Sequence, residues 1–239
     1  MPTLESLKVK LFADGADLDG IRSLAALTHI KGFTTNPSLM KKAGVKDYKS
    51  YAQQAFQIIG DRPISLEVFA DDLPGMAAQA RIIAGWGANV YVKIPVRNTL
   101  GHSTAPVIEE LSAAGVKLNV TAVFTARQVA EVTDALAAGV PAVISVFAGR
   151  MADVGVDPVP VIVESRLIVA AKPKAELLWA ATREVFNVVE AERLGCHIIT
   201  VPNDILGKLK NLGRSVEDAC TDTVAGFFND AQSAGFTIE

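Results

Sequence analysis

The chain is poor in cysteine and histidine: of 239 residues only Cys196 and Cys220 carry thiols, and only His29, His102 and His197 carry imidazoles. Two distant cysteines make no disulfide framework and point to a reducing compartment, read here as the cytoplasm. The histidines show no ligand spacing and the cysteines are not close enough to help, so no metal is expected. There is no cluster of Lys and Arg; 23 basic against 26 acidic residues leave a formal net charge of -3, which argues against a nucleic-acid partner. No apolar run reaches the length of a membrane span, so no membrane association is expected. The opening MPTLESLKVKLFADG has no long apolar region with a cleavage site and does not read as a signal peptide. The first turn, ADGADLDG, lacks G-x-G-x-x-G, which disfavours a dinucleotide-binding open sheet.

Apolar residues are plentiful at 50%, enough for a sizeable core. No linker is visible, so residues 1–239 read as a single domain. Short strand-like runs fall at 9–14, 31–36, 64–69, 89–95, 117–124, 142–148, 176–181 and 197–202, with helical patterns between them, for example at 72–84, 103–114 and 125–138. Eight strand–helix units predict an α/β fold, a closed (β/α)8 TIM barrel. The seventh run, ELLWAA, could also open a helix, and a doubly wound open sheet is the alternative. Beyond the barrel, residues 215–233 form an extra C-terminal helix, with Ser215 and Asp218 spaced as a capping box and a stripe through Val216, Ala219, Thr223, Val224, Phe227 and Ala231. This helix is expected to pack on a barrel end or on a neighbouring subunit.

Alternate side chains of a barrel strand face the interior. That parity groups Phe12 with Asp14, Thr34 with Asn36, Ser65 with Glu67 and Phe69, Asn119 with Thr121, and Ser145 with Phe147, and it turns Lys93 inward. Val120 and Ala122 are expected to face the helices. Most of these polar residues lie toward strand C-termini, where barrel enzymes place their chemistry. Lys93 stands in NVYVKIPVRN, an otherwise apolar strand. Burial favours the neutral form of an amine and so makes a nucleophile, whereas a neighbouring Asp14 or Glu67 would favour the ammonium. A structural lysine–carboxylate pair is therefore an equal reading of the pattern. Asp14 suits an acid/base role at a strand end or a helix N-cap, a task for which Asp17 competes. Glu67 and Thr121 could hold a water between them, or be satisfied core groups. Arg150, after the sixth strand, and Arg183, after the seventh, are candidate phosphate ligands on the catalytic rim.

LFADGAD (11–17), GFTTNPSL (32–39), YVKIPV (91–96), KLNVTAVF (117–124) and ISVFAGR (144–150) together resemble the transaldolase family, in its short type related to fructose-6-phosphate aldolase. The resemblance runs across nearly the whole chain. It implies a class I enzyme without metal or organic cofactor, in which Lys93 forms the Schiff base and Asp14 is the acid/base. Glu67 and Thr121 would position the catalytic water, and Asn36, Asn119 and Ser145 would contact substrate. Arg150 and Arg183 would bind phosphate.

The implied reaction moves a dihydroxyacetone unit from fructose 6-phosphate or sedoheptulose 7-phosphate to an aldose phosphate, a step of the pentose phosphate pathway. In relatives that act mainly as aldolases a glutamine and a tyrosine replace a glutamate and a phenylalanine; these positions are read here as Glu67 and Phe124, which favour transfer. AATR stands where a sequence like ASFR is typical, and MADVGVDPVPVIVE after Arg150 is unusual. The alternatives are a lyase using the same Schiff base without an acceptor, and a non-catalytic barrel used for binding or assembly. The resemblance also implies a homo-oligomer, a pentamer or decamer, with sugar phosphates as its small-molecule partners.

Overall fold

The computed structural model describes residues 3–238. After a short 3-10 turn the chain alternates strand and helix. The first half runs β1 (Lys10–Asp14), α1 (Leu18–Ala25), β2 (Ile30–Thr34), α2 (Pro37–Lys42), α3 (Tyr48–Ile59), β3 (Ile64–Glu67), α4 (Leu73–Ala84), β4 (Val90–Pro95) and α5 (Ala105–Ala113). It continues with β5 (Leu118–Val123), α6 (Ala126–Ala135), β6 (Ala142–Val146), α7 (Ala148–Asp153), α8 (Val159–Val169), β7 (Ala175–Trp179), α9 (Phe186–Arg193), β8 (Ile198–Pro202) and α10 (Asn203–Leu206). The strands close a parallel barrel in chain order, with β8 returning to β1. This is the (β/α)8 barrel expected from the sequence, with ELLW of the ELLWAA run in the seventh strand and the two alanines beyond its end.

The helices begin where a side chain can satisfy an orphan amide. Asp17, Asn36, Asp47, Asp72, Thr125 and Ser215 each accept a backbone N–H three residues ahead. One of these caps shortens an expected strand. The second strand stops at Thr34, because Asn36 is already the N-cap of α2. The third stops at Glu67, so Phe69 leaves the interior face on which strict alternation placed it; it is 54% exposed and its ring stacks on Tyr48 at 4.8 Å.

Two apolar clusters result. The larger fills the layer between strands and helices and includes Val92, Ile94, Val120, Ile144, Val129 and Ile162. The smaller lies inside the barrel, where Phe12, Val143, Leu178, Ala180 and Ile198 meet, with Tyr91 and Phe147 against them. Gly32 makes room for it: a Cβ there would stand 2.5 Å from the Phe12 ring. The floor of the barrel is thus apolar, and polar residues gather above it toward the strand C-termini.

The extra C-terminal helix, α11 (Val216–Ala234), starts on Ser215, whose Oγ accepts the Asp218 N–H at 3.0 Å. No residue of α11 is buried, and Val224, Phe227 and Phe228 are exposed.

Candidate active site

At the C-terminal end of the barrel a cavity of about 440 Å³ opens among the strand ends. Asp14, Asn36, Glu67, Lys93, Asn119, Thr121, Ser145, Arg150 and Arg183 all line it, so the structure brings together the nine polar residues that the sequence singled out as catalytic or substrate-binding. Strand register does this. Glu67 stands opposite Lys93, Lys93 opposite Asn119, and Asp14 opposite Thr34.

Lys93 is only 6% exposed. Its Nζ donates to the Thr35 carbonyl at 2.8 Å and lies 3.3 Å from Glu67 Oε2. A buried amine is tolerated when it is paired in this way. The carbonyl and carboxylate also fix the direction in which Nζ points. Both sides of the sequence reading are therefore present: the amine has a carboxylate partner, and it lies in a cavity large enough for a small ligand.

Asp14 is free of capping duty, because Asp17 takes the N-cap of α1 by accepting from Gly20 N at 2.8 Å. Burial pushes the Asp14 carboxyl above the usual carboxylate range, while the Lys93 charge and a hydrogen bond from Thr34 Oγ1 at 2.7 Å pull the other way. A carboxylate raised in this manner is a stronger base than a solvated one. The Thr34 hydroxyl also bonds Thr200. With its one proton given to Asp14, Thr34 accepts from Thr200. Alternation had placed Thr34 on the interior face, whereas Thr200 was not singled out from the sequence.

A second polar chain crosses the interior. Ser145 Oγ donates to Asn119 Oδ1 at 2.7 Å, and Asn119 Nδ2 donates to Ser65 Oγ at 2.9 Å. It fixes the Asn119 amide and leaves its second N–H for a ligand. The Thr121 hydroxyl is buried and has no hydrogen-bond partner among the described residues.

Arg150, on α7, and Arg183, on the loop after β7, line the same cavity. Ala181 holds φ at 61°, and Gly149 packs so closely on it that a Cβ would stand 1.7 Å from the Ala181 oxygen. The Arg183 guanidinium is held in a fork by Asp153, with Nε at 2.9 Å and Nη2 at 2.6 Å from its two oxygens. Hydrogen bonds from Arg183, and more weakly the charges of Arg183 and Arg150, hold the Asp153 carboxyl below its ordinary range.

Three features escaped the sequence reading. Ala122 lines the cavity instead of facing the helices: it has φ 56° at a register shift between β5 and β6, which breaks the alternation. Phe147 also lines the cavity, whereas Phe124 does not; Phe124 sits behind it with ring centroids 5.9 Å apart. The phenylalanine that faces the reacting end is thus Phe147, and the sequence signal for it was its shared parity with Ser145. Asp153, three residues after Arg150 on α7, was legible as an i,i+3 neighbour.

A buried lysine, ringed by carboxylates and amides in the C-terminal mouth of a (β/α)8 barrel, is the arrangement of a Schiff-base-forming enzyme. No group of His, Cys, Asp and Glu among the described residues is placed to hold a metal ion. Residues 11–239 match the Transaldolase/Fructose-6-phosphate aldolase family. The chain is 36% identical over 233 residues to a protein of Thermoanaerobacter sp. strain X514 described as "Probable transaldolase", covering 96% of this chain and all of the relative. It is 36% identical over 204 residues to one of the same description from Methanococcus maripaludis strain C7, covering 85% of this chain and 90% of that protein. Among solved structures, KGPDC from Streptococcus mutans superposes with a TM-score of 0.52 at 11% identity, over 81% of this chain and 88% of that one, a likeness of fold alone. The chain belongs to the transaldolase/fructose-6-phosphate aldolase family.

Proposed function

We propose that this enzyme is a transaldolase: it transfers a dihydroxyacetone unit from a ketose phosphate, fructose 6-phosphate or sedoheptulose 7-phosphate, to an aldose phosphate through a Schiff base on Lys93. The observation that carries the reading is the buried Lys93 Nζ. It is held by the Thr35 carbonyl and Glu67 in a cavity that also presents Asp14, Asn36, Asn119, Thr121 and Ser145.

In this reading the amine attacks C2 of the ketose. Glu67, 3.3 Å from Nζ, takes the proton that the amine sheds. With the unpartnered Thr121 hydroxyl it orients the water released as the iminium forms and consumed when it is hydrolysed. Asp14 removes the proton from the C4 hydroxyl, the C3–C4 bond breaks, and the iminium takes up the electron pair. Its raised pKa suits that step, and the Thr34–Thr200 pair holds its orientation. Asn36 and the spare N–H of Asn119 hold the hydroxyls of the retained three-carbon unit. Arg150 and Arg183 bind the phosphate of donor and acceptor. A homo-oligomer, in which a neighbouring copy covers the apolar face of α11, belongs to the same reading.

The test is release of glyceraldehyde 3-phosphate from fructose 6-phosphate with and without erythrose 4-phosphate. Release that depends on the acceptor supports a transaldolase. Equal release without it makes the protein an aldolase. Borohydride with substrate is expected to modify Lys93; its failure to do so would leave a barrel without this chemistry.

A further inference from the structure

We propose that Asp153 is a positioning residue that holds Arg183 over the mouth of the cavity and thereby sets the affinity for the phosphate of the substrate. The inference rests on the reading of Arg150 and Arg183 as phosphate ligands.

Arg150 and Arg183 both line the cavity, and Asp153 does not. Arg183 stands on the loop after β7, its side chain 43% exposed. Left alone, such a side chain spreads over many rotamers in solvent. Three contacts counter this. The Arg183 stem passes close to Gly149, where a Cβ would lie 3.2 Å from its Cγ. Its backbone N–H is fixed on Asn187 Oδ1 at 2.9 Å. Its head is gripped by both oxygens of Asp153.

The grip uses Nε and Nη2, the side edge of the guanidinium. The Nη1 edge stays open for a second bidentate anion. Asp153 lies one helical turn from Arg150, whose charge also acts on it. It is itself held ionised by the two arginines, so the clamp persists throughout the neutral range. A carboxylate placed this way acts on the substrate only through Arg183. Its effect is therefore confined to ligands that carry a phosphate.

The experiment compares wild type, Asp153→Asn and Arg183→Ala by the KM for fructose 6-phosphate and by borohydride trapping of unphosphorylated dihydroxyacetone. Loss of a charge-assisted bidentate contact predicts that Asp153→Asn raises the KM about tenfold. The kcat and the trapping of dihydroxyacetone are expected to stay within about twofold, a split that general damage to the fold does not give. An unchanged or lower KM in Asp153→Asn, with a raised KM in Arg183→Ala, overturns the proposal and makes Asp153 a bystander or a competitor of phosphate. Parallel loss of kcat and trapping in Asp153→Asn also overturns it, in favour of a structural role. An unchanged KM in Arg183→Ala removes the phosphate reading itself, and the proposal with it.

Discussion

The contact between Lys93 and Glu67 at 3.3 Å joins two buried charged side chains, and a double-mutant cycle reads their coupling. Two unit charges 3.3 Å apart attract by about 5 kcal/mol at an effective dielectric of about 20. Much of this is offset by the desolvation of both groups, whose side chains are 8% and 17% exposed. Lys93→Met leaves Glu67 without its cation, and Glu67→Gln leaves the ammonium with the Thr35 carbonyl and the more distant charge of Asp14. Each single change is therefore expected to destabilise, whereas the double variant removes both charges together. A coupling of about 1–3 kcal/mol is expected, the double variant being more stable than the sum of the singles by that amount. In thermal unfolding this is a discrepancy of roughly 2–12 °C for a chain of this size. The assay is urea unfolding at neutral pH, followed by circular dichroism, on all four proteins. Additivity within about 0.5 kcal/mol would refute the argument. It would mean that the contact adds nothing beyond what each side chain contributes alone.

Three further outcomes are expected. Asp14→Asn should abolish turnover and leave the melting temperature unchanged or higher, because burial opposes the native carboxylate; a clear fall would show that Asp14 stabilises the barrel. Gly149→Ala forces a Cβ toward the Ala181 oxygen and should cost about 3 kcal/mol. That is a fall of roughly 6–12 °C, and a shift under about 2 °C would mean that the β7 loop yields freely. His197 Nδ1 accepts the Leu177 N–H at 2.8 Å, and burial holds its pKa below the usual value. The folded state therefore favours the neutral ring: its contribution is complete above the unfolded pKa of about 6.5 and is lost as pH falls through the lower folded value. Melting temperatures between pH 7 and 5.5 should fall less steeply in His197→Asn than in wild type, and equal slopes would refute this.

The barrel was legible because most of its strands keep a two-residue alternation and several of its helices open on short polar caps. Even ELLWAA, ambiguous by length, was decided by its neighbours: it pairs with β6 and β8. What escaped the sequence lies where alternation fails. Ala122 and Ala181 take left-handed backbone at strand ends, which no alanine advertises. Phe69 left the interior because Glu67 ended its strand, a limit set by neighbouring register. Phe124 was taken as the deciding aromatic from the family resemblance, but the aromatic that lines the cavity is Phe147. The same holds for Asp153: its spacing from Arg150 was visible, yet its partner Arg183 is 30 residues away, and only the fold joins them.

The apolar floor built by Phe12, Val143, Leu178 and Ile198 closes the barrel beneath the cavity among the described residues. Packed side chains close the way from Lys93 toward the far end of the barrel, so donor, first product and acceptor use the C-terminal mouth in turn. For the reaction proposed here, the order of events follows from architecture: the first aldose leaves before the second enters, while the three-carbon fragment waits on the lysine. Initial-rate plots against one sugar at several fixed levels of the other should then run parallel. High acceptor concentrations should inhibit by occupying the cavity before the donor arrives.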